Sequence, residues 1–274
     1  MELNALLASP TAIPSIPKVV ALLLNEFDQE APDLRKISQL IGTDPGLTAR
    51  VLQLANSTFL QPSQRIGGVS EALAILSLAH VRSLVSTASL GGAFRSVPGM
   101  NMQQFWRYSL DVARISRSLA GLVHQNLGTA FSAGLVHAVG ELVMHSGMPE
   151  KMLALDASVP PLDLRRARVE HRVFGYSYAQ VSAGLARNWQ FPAQIVDALG
   201  HQHAPFDEEA CEPLAGIIHL AAWRARAREA GLGERELATS FPDLVGLALG
   251  LDIDAVLQQD PIDWTSSTEA GPFL

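Results

Sequence analysis

The chain has 274 residues, 48% of them hydrophobic and 17% charged, with 27 acidic side chains against 20 basic and a formal net charge of −7. That length can bury a sizeable core without metal or disulfide staples, and a mean hydropathy of +0.17 excludes a disordered polyelectrolyte. The acidic excess argues against a general nucleic-acid or anionic-membrane binder, because attraction to phosphate needs a basic face.

From the N-terminus, Met1 to Pro10 lacks the basic region and long apolar run of a signal peptide. Leu34, Ile37, Leu40 and Ile41 recur at helical spacing behind Pro32-Asp33, where Asp33 can cap the first turn. Asp44-Pro45 repeats the device, with Asp as N-cap and Pro at the first helical position, and opens a helix carrying Leu47, Val51, Leu54 and Ala55 on one face. Val69 to Leu78 and Val81 to Leu90 are similarly apolar, and glycines and a proline between Gly91 and Gly99 mark a boundary. Beyond it the pattern predicts helices over Met102–His124, Thr129–Ser146, Leu162–Phe174, Tyr176–Trp189, Pro192–His201 and Pro213–Ala230. The stretch Ser118–Gly140 carries no Asp, Glu, Lys or Arg, but the polar run from His124 to Thr129 makes it two buried helices with a turn, not a membrane span. Period-2 alternation is absent and aromatic residues are only 6%, so the expected fold class is all-α.

Chemistry-bearing motifs are few. The lone Cys211 rules out an intramolecular disulfide, a thiolate cluster or a CxxC pair, and a reducing, cytoplasmic compartment fits. No GxxxxGK[ST], GxGxxG or GxSxG run occurs, which leaves nucleotide-cradle and nucleophile-elbow chemistry without support. Among the eight histidines, His137 lies in an apolar stretch where one imidazole alone cannot hold a divalent ion. It reads as a hydrogen-bonded core residue. His201 and His203, at i and i+2, do not share a helix face and read as a helix end; His219 reads as a core histidine. Asn56-Ser57 closes a helix and can tie down the next loop, with ligand recognition as the alternative. Two arginine runs, Arg165, Arg166, Arg168 and Arg172, then Arg224, Arg226 and Arg228, read as solvated faces, with an acidic partner or phosphorylated ligand as the competitor.

In order along the chain, Ile13-Pro14-Ser15-Ile16-Pro17, Asp44-Pro45-Gly46-Leu47, Leu52-Gln53-Leu54-Ala55-Asn56-Ser57, Phe105-Trp106-Arg107-Tyr108-Ser109, Ala133-Gly134-Leu135-Val136-His137, Asn188-Trp189-Gln190-Phe191-Pro192 and His201-Gln202-His203 resemble the signatures of the HDOD family, the HD-related output domains of bacterial signalling proteins. The resemblance covers residues 12–230 and implies a helical bundle of two lobes: an N-terminal lobe over 12–95 and an HD-like lobe over 100–230. Residues 231–274 remain as a C-terminal helical extension and loose tail. Related HD phosphohydrolases bind divalent metals through His and Asp residues. Carried over, those positions fall on Tyr108, His137, Ala138, Tyr178 and Ala222, so the resemblance implies a lost metal cage and no metal or other cofactor. A phenol is a poor ligand near neutral pH and alanine has no donor atom.

The expected function is a non-catalytic regulatory module that contacts a signalling partner protein, with no nucleic-acid or membrane role. Asn56, Trp106, Arg107, Arg172, His201 and His203 are its candidate ligand or partner contacts. One alternative is a sensor that binds a nucleotide second messenger, such as a cyclic dinucleotide, or another phosphorylated ligand in the vestigial cleft, with Arg107 and Arg172 on the phosphates. A less favoured alternative is a divergent metal-dependent phosphohydrolase using His137, Glu141, His201 and His203.

Overall fold

Proline and capping side chains start most of the early helices. The computed structural model describes residues 1–9, 13–90, 96–205 and 212–259, and among these every regular element is an α-helix. The first lobe holds α2 (Pro17–Phe27), α3 (Leu34–Ile41), α4 (Pro45–Ala55), α5 (Val69–Ile75) and α6 (Leu78–Leu90), preceded by a short α1 (Leu3–Ala8). Asp33 caps α3 by accepting from the Arg35 and Lys36 amides, as its position predicts. Asp44 caps α4 with one carboxylate oxygen on the Leu47 amide (2.8 Å) and holds the Ile16 amide with the other (2.6 Å). Arg50 of α4 adds bonds to Ser15 Oγ (2.9 Å) and the Ile13 carbonyl (2.7 Å). The proline-rich segment and the Asp-Pro segment are therefore parts of one joint.

The second lobe is built on α7 (Met102–Leu122), α8 (Leu127–Val136), α9 (Val139–Gly147), α10 (Pro149–Asp156), α11 (Arg166–Phe174), α12 (Tyr178–Asn188), α13 (Ala193–His201) and α14 (Pro213–Glu229). Helix α7 packs along α8 and α14, α12 packs along α9 and α13, and α4 and α5 of the first lobe rest on α8 and α7. Helix α1 crosses over to α12 and α9, although it precedes the first lobe in sequence. After α14 come α15 (Glu234–Ser240), α16 (Asp243–Leu249) and α17 (Ile253–Leu257), and both α16 and α17 pack back on α14. The described part of the C-terminal extension is thus continuous with the second lobe. The proposed boundary glycines Gly91 and Gly92, Cys211 and the tail from Asp260 lie outside the described residues.

One predicted helix is corrected. Thr129–Ser146 is two helices, broken at His137-Ala138. The break survives because tertiary partners take the backbone groups it frees. Gln202 Nε2 donates to the His137 carbonyl (3.1 Å), and the Gly140 amide donates to Ser182 Oγ (2.9 Å). Glycines flank the break for a steric reason. A Cβ on Gly134 would stand 2.9 Å from the Ala113 backbone of α7, and one on Gly140 would stand 2.2 Å from the Tyr178 carbonyl of α12. The stretch Leu127–Gly147 is long and apolar enough to cross a membrane by composition, yet 83% of its most apolar window is buried against the other helices.

Candidate functional site

The break between α8 and α9 turns the His137 ring into the centre of the second lobe, where α7, α12 and α14 also converge. His137 is fully buried, with Nδ1 2.7 Å from the Gly134 carbonyl and Nε2 3.1 Å from the Tyr108 hydroxyl of α7. The carbonyl can only accept, so Nδ1 carries the proton and Nε2 accepts from the phenol. The Tyr108 and His137 rings meet edge to face at 5.0 Å. Tyr178, fully buried at the first position of α12, faces the same centre.

Between the two phenols lies the guanidinium of Arg226, from α14. Its Nη2 donates to Tyr178 Oη at 2.8 Å, and its central carbon is 5.5 Å from the Tyr108 ring centroid and 5.8 Å from that of Tyr178. Ala222 lies one turn earlier on the same helix, also buried. Ala138, Glu141, Tyr108 and Arg226 line a residual cavity of about 30 Å³, room for about one water molecule. The structure thus brings Tyr108, His137, Ala138 and Tyr178 together, with Ala222 one turn away, and adds a charge that sequence reading placed on a solvated face. The signal was there: Arg226 continues the i, i+4 stripe of buried Ile218 and Ala222.

The buried cation shapes every titration around it. Burial and then Arg226 push His137 down to about 3, and burial with Arg226 holds His203 well below the ordinary imidazole range. Burial raises both Tyr108 and Tyr178. For Arg226 itself burial works against the charge, but Tyr108, Tyr178 and Glu141 outweigh it and keep the guanidinium protonated. Both histidines beside it are neutral at pH 7.

A second charged cluster adjoins the first. Arg166 was also read as part of a solvated arginine face, yet it is fully buried. Its Nε donates to Glu170 Oε1 (2.6 Å), and its Nη1 to Asp156 Oδ1 (2.7 Å) and the Val159 carbonyl (2.5 Å). Glu141 stands 3.3 Å from the same guanidinium, and burial with the neighbouring Glu170 raises its carboxyl well above the usual range. Glu170 also accepts the Tyr178 amide at 2.8 Å, tying this cluster to the helix that carries Tyr178. Glu141 lies one turn past His137, but it faces Arg166 and His145 instead of completing a ligand set with His137, His201 and His203.

The remaining candidate contacts are dispersed. Asn56 is not available to a partner: it is fully buried, giving Nδ2 to the Leu52 and Ile66 carbonyls (2.9 Å each) and accepting the Ile66 amide (2.8 Å). Arg65 joins the Asn56 carbonyl (2.5 Å) to Gln190 Oε1 (3.0 Å), so two signature segments meet in one structural link across the lobes. Trp106 is half-buried, and Arg107 pairs with Glu229 of α14 at 3.1 Å on the surface. Arg172 is exposed on α11 and lines neither the central cavity nor the neighbouring cleft. His201 and His203 do line that cleft, on the α13 side. The central cavity measures about 30 Å³, and neither Arg107 nor Arg172 lines it.

An all-α bundle of two lobes, with an HD-like second lobe centred on a buried histidine, defines the class. The chain belongs to the HDOD domain family, which matches residues 13–205. Its fold is similar to that of the MmoQ response regulator of Methylococcus capsulatus, with a TM-score of 0.72 at 24% identity over 91% of this chain and 95% of that one. A protein of Shewanella amazonensis, provisionally named a phosphohydrolase, is similar at 27% identity and a TM-score of 0.56, over 98% of this chain and 95% of that one. A curated but uncharacterized protein of Treponema pallidum is 24% identical over 219 residues, 76% of this chain and 41% of that protein. The chain therefore spans about two fifths of the length of that relative.

The centre does not fit a divalent cation. One imidazole, two neutral phenols and an alanine make a poor donor set, and the Arg226 guanidinium adds a fixed positive charge to the space. Among the described residues no three His, Cys, Asp or Glu side chains form a group that could hold a metal.

Proposed function

We propose that this chain is a non-catalytic signal-transduction module of the bacterial cytoplasm, whose HD-type centre has become a structural core and which acts by contact with a partner protein. Tyr108, His137, Ala138, Tyr178 and Ala222 are the vestigial positions in this reading. The observation that carries it is Arg226, a buried cation bracketed by Tyr108 and Tyr178 where an HD phosphohydrolase would need ligands for a metal. A guanidinium so placed repels a divalent ion and offers no nucleophile. With so little space left beside it, there is no seat for a scissile phosphoester. The partner-facing surface of this reading is a groove of about 620 Å³ between α4 and α6, where Leu54, Leu84 and Ala88 supply apolar area beside Arg50, Gln53 and His80.

A hydrolysis assay tests the non-catalytic claim. Purified protein supplied with manganese or magnesium is expected to leave bis(p-nitrophenyl) phosphate and cyclic dinucleotides uncleaved. Turnover that is abolished by His137→Ala in a folded variant would overturn the proposal.

A further inference from the structure

Beside the centre, and separate from it, α1, α11, α12 and α13 enclose a cleft of about 780 Å³. Its walls carry two guanidiniums, Arg168 and Arg187, against one carboxylate, Asp197, with the imidazoles of His171, His201 and His203 beside them. In a chain with net charge −7 this is a local reversal of sign. Arg168 and Arg187 are exposed and make no ion pair among the described residues. Their charges are spent on nothing inside the fold. The volume lies within the range of small-molecule sites, about 300–1,000 Å³.

The rest of the lining divides by chemistry. Gly200 and Ala204 are small and half-buried, so a ligand can approach the backbone at the end of α13, whereas Gly184 on the facing helix is covered by Leu7. Leu3 and Leu7 of α1 form an apolar wall on the same cleft. We propose that this cleft binds a phosphate-bearing small molecule of nucleotide size, with Arg168 and Arg187 on the phosphates and the α1 leucines against the organic part. Guanidinium groups suit this task because their planar forks bond phosphate oxygens in pairs.

His203 is the wall shared with the centre. It lines the cleft, its ring meets Tyr178 edge to face at 4.9 Å, and Tyr178 takes the Arg226 hydrogen bond. A ligand in the cleft therefore stands one imidazole away from the phenol–guanidinium core. The cleft does not depend on the centre being non-catalytic, so the two proposals fail separately.

Titration calorimetry with inorganic pyrophosphate and with ADP, at low salt, tests the site. Both are expected to bind at sub-millimolar concentration, ADP more tightly because it can also use the leucine wall. Arg168→Ala and Arg187→Ala, both surface changes that leave the fold intact by circular dichroism, are expected to weaken binding about tenfold each, a loss of about 1.4 kcal/mol. Arg172→Ala, on the same helix as Arg168 but outside the cleft, is expected to change nothing. The His203 ring signals in an imidazole NMR spectrum should move on ligand addition. No binding of either probe at millimolar concentration, or binding that survives both cleft substitutions, would overturn the proposal.

Discussion

Burial and the neighbouring Arg226 set the state of His137, and that has a measurable consequence for stability. The folded protein holds His137 neutral down to about 3, while the unfolded chain titrates it near 6.5. Between those values the unfolded state binds the extra proton, so stability falls as pH drops below 6.5. This one group is expected to remove about 2 kcal/mol between pH 7.5 and pH 5. His137→Gln, which has no titration there, should flatten the dependence by that amount in urea denaturation at the two pH values; an unchanged slope would contradict the assignment. Arg226→Ala should cost about 3 kcal/mol through a cavity and an orphaned Tyr178 hydroxyl, whereas Arg226→Met, which fills the space, should cost less. In both variants the His203 and remaining His137 imidazoles should titrate higher, since the neighbouring cation that depresses them is gone. A proton-detected NMR titration reads this directly. Single residues were legible only in part from sequence. His137 as a bonded core histidine follows from its apolar neighbours, but Arg166 and Arg226 hide inside arginine runs whose other members are exposed or, at Arg224, half-buried. Burial of an arginine depends on partners that lie on other helices, Asp156 and Glu141 for Arg166 and Tyr178 for Arg226.

At the scale of elements, periodicity located the helices well where capping chemistry is local, as at Asp33 and Asp44, and failed where the decision is tertiary. Between Thr129 and Ser146 only Gly134 and Gly140 weaken a helix by propensity, and neither stands at the break itself. The interruption at His137-Ala138 is held by Gln202 and Ser182, which lie far along the chain. The glycines on either side are the sequence trace of that geometry. Gly140→Ala would drive a methyl to 2.2 Å from the Tyr178 carbonyl, a backbone group that cannot swing aside as a side chain could. It is expected to lower stability by about 3 kcal/mol or to prevent folding. Thermal melts check this, with Gly121→Ala as the reference: its nearest neighbour would be 3.6 Å away, and the change at this helical position should be neutral or stabilising. Equal melting temperatures for the two variants would mean that α9 and α12 do not approach as described. The same logic explains α1, whose docking on α12 and α9 no local pattern in the first residues announces.

Across the whole molecule, the signature segments shared with the HDOD family are mostly joints. The Asp44 cap grips the Ile13–Pro17 segment, and Arg65 ties Asn56 to Gln190 between the lobes. A pattern of such joints is why two lobes and a helical class were readable from order alone, while the lining of the cleft beside α11 was legible only in part, at His201 and His203. The cleft beside α11 is assembled from four helices and the central cation from a fifth, so neither forms a linear motif. In the proposed reading Arg226 has taken the place where an HD-type enzyme would hold its metal. Calorimetric titration of the purified protein with manganese distinguishes the two cases. No stoichiometric binding is expected. One manganese bound per chain at micromolar affinity, lost in a folded His137→Ala variant, would contradict that reading.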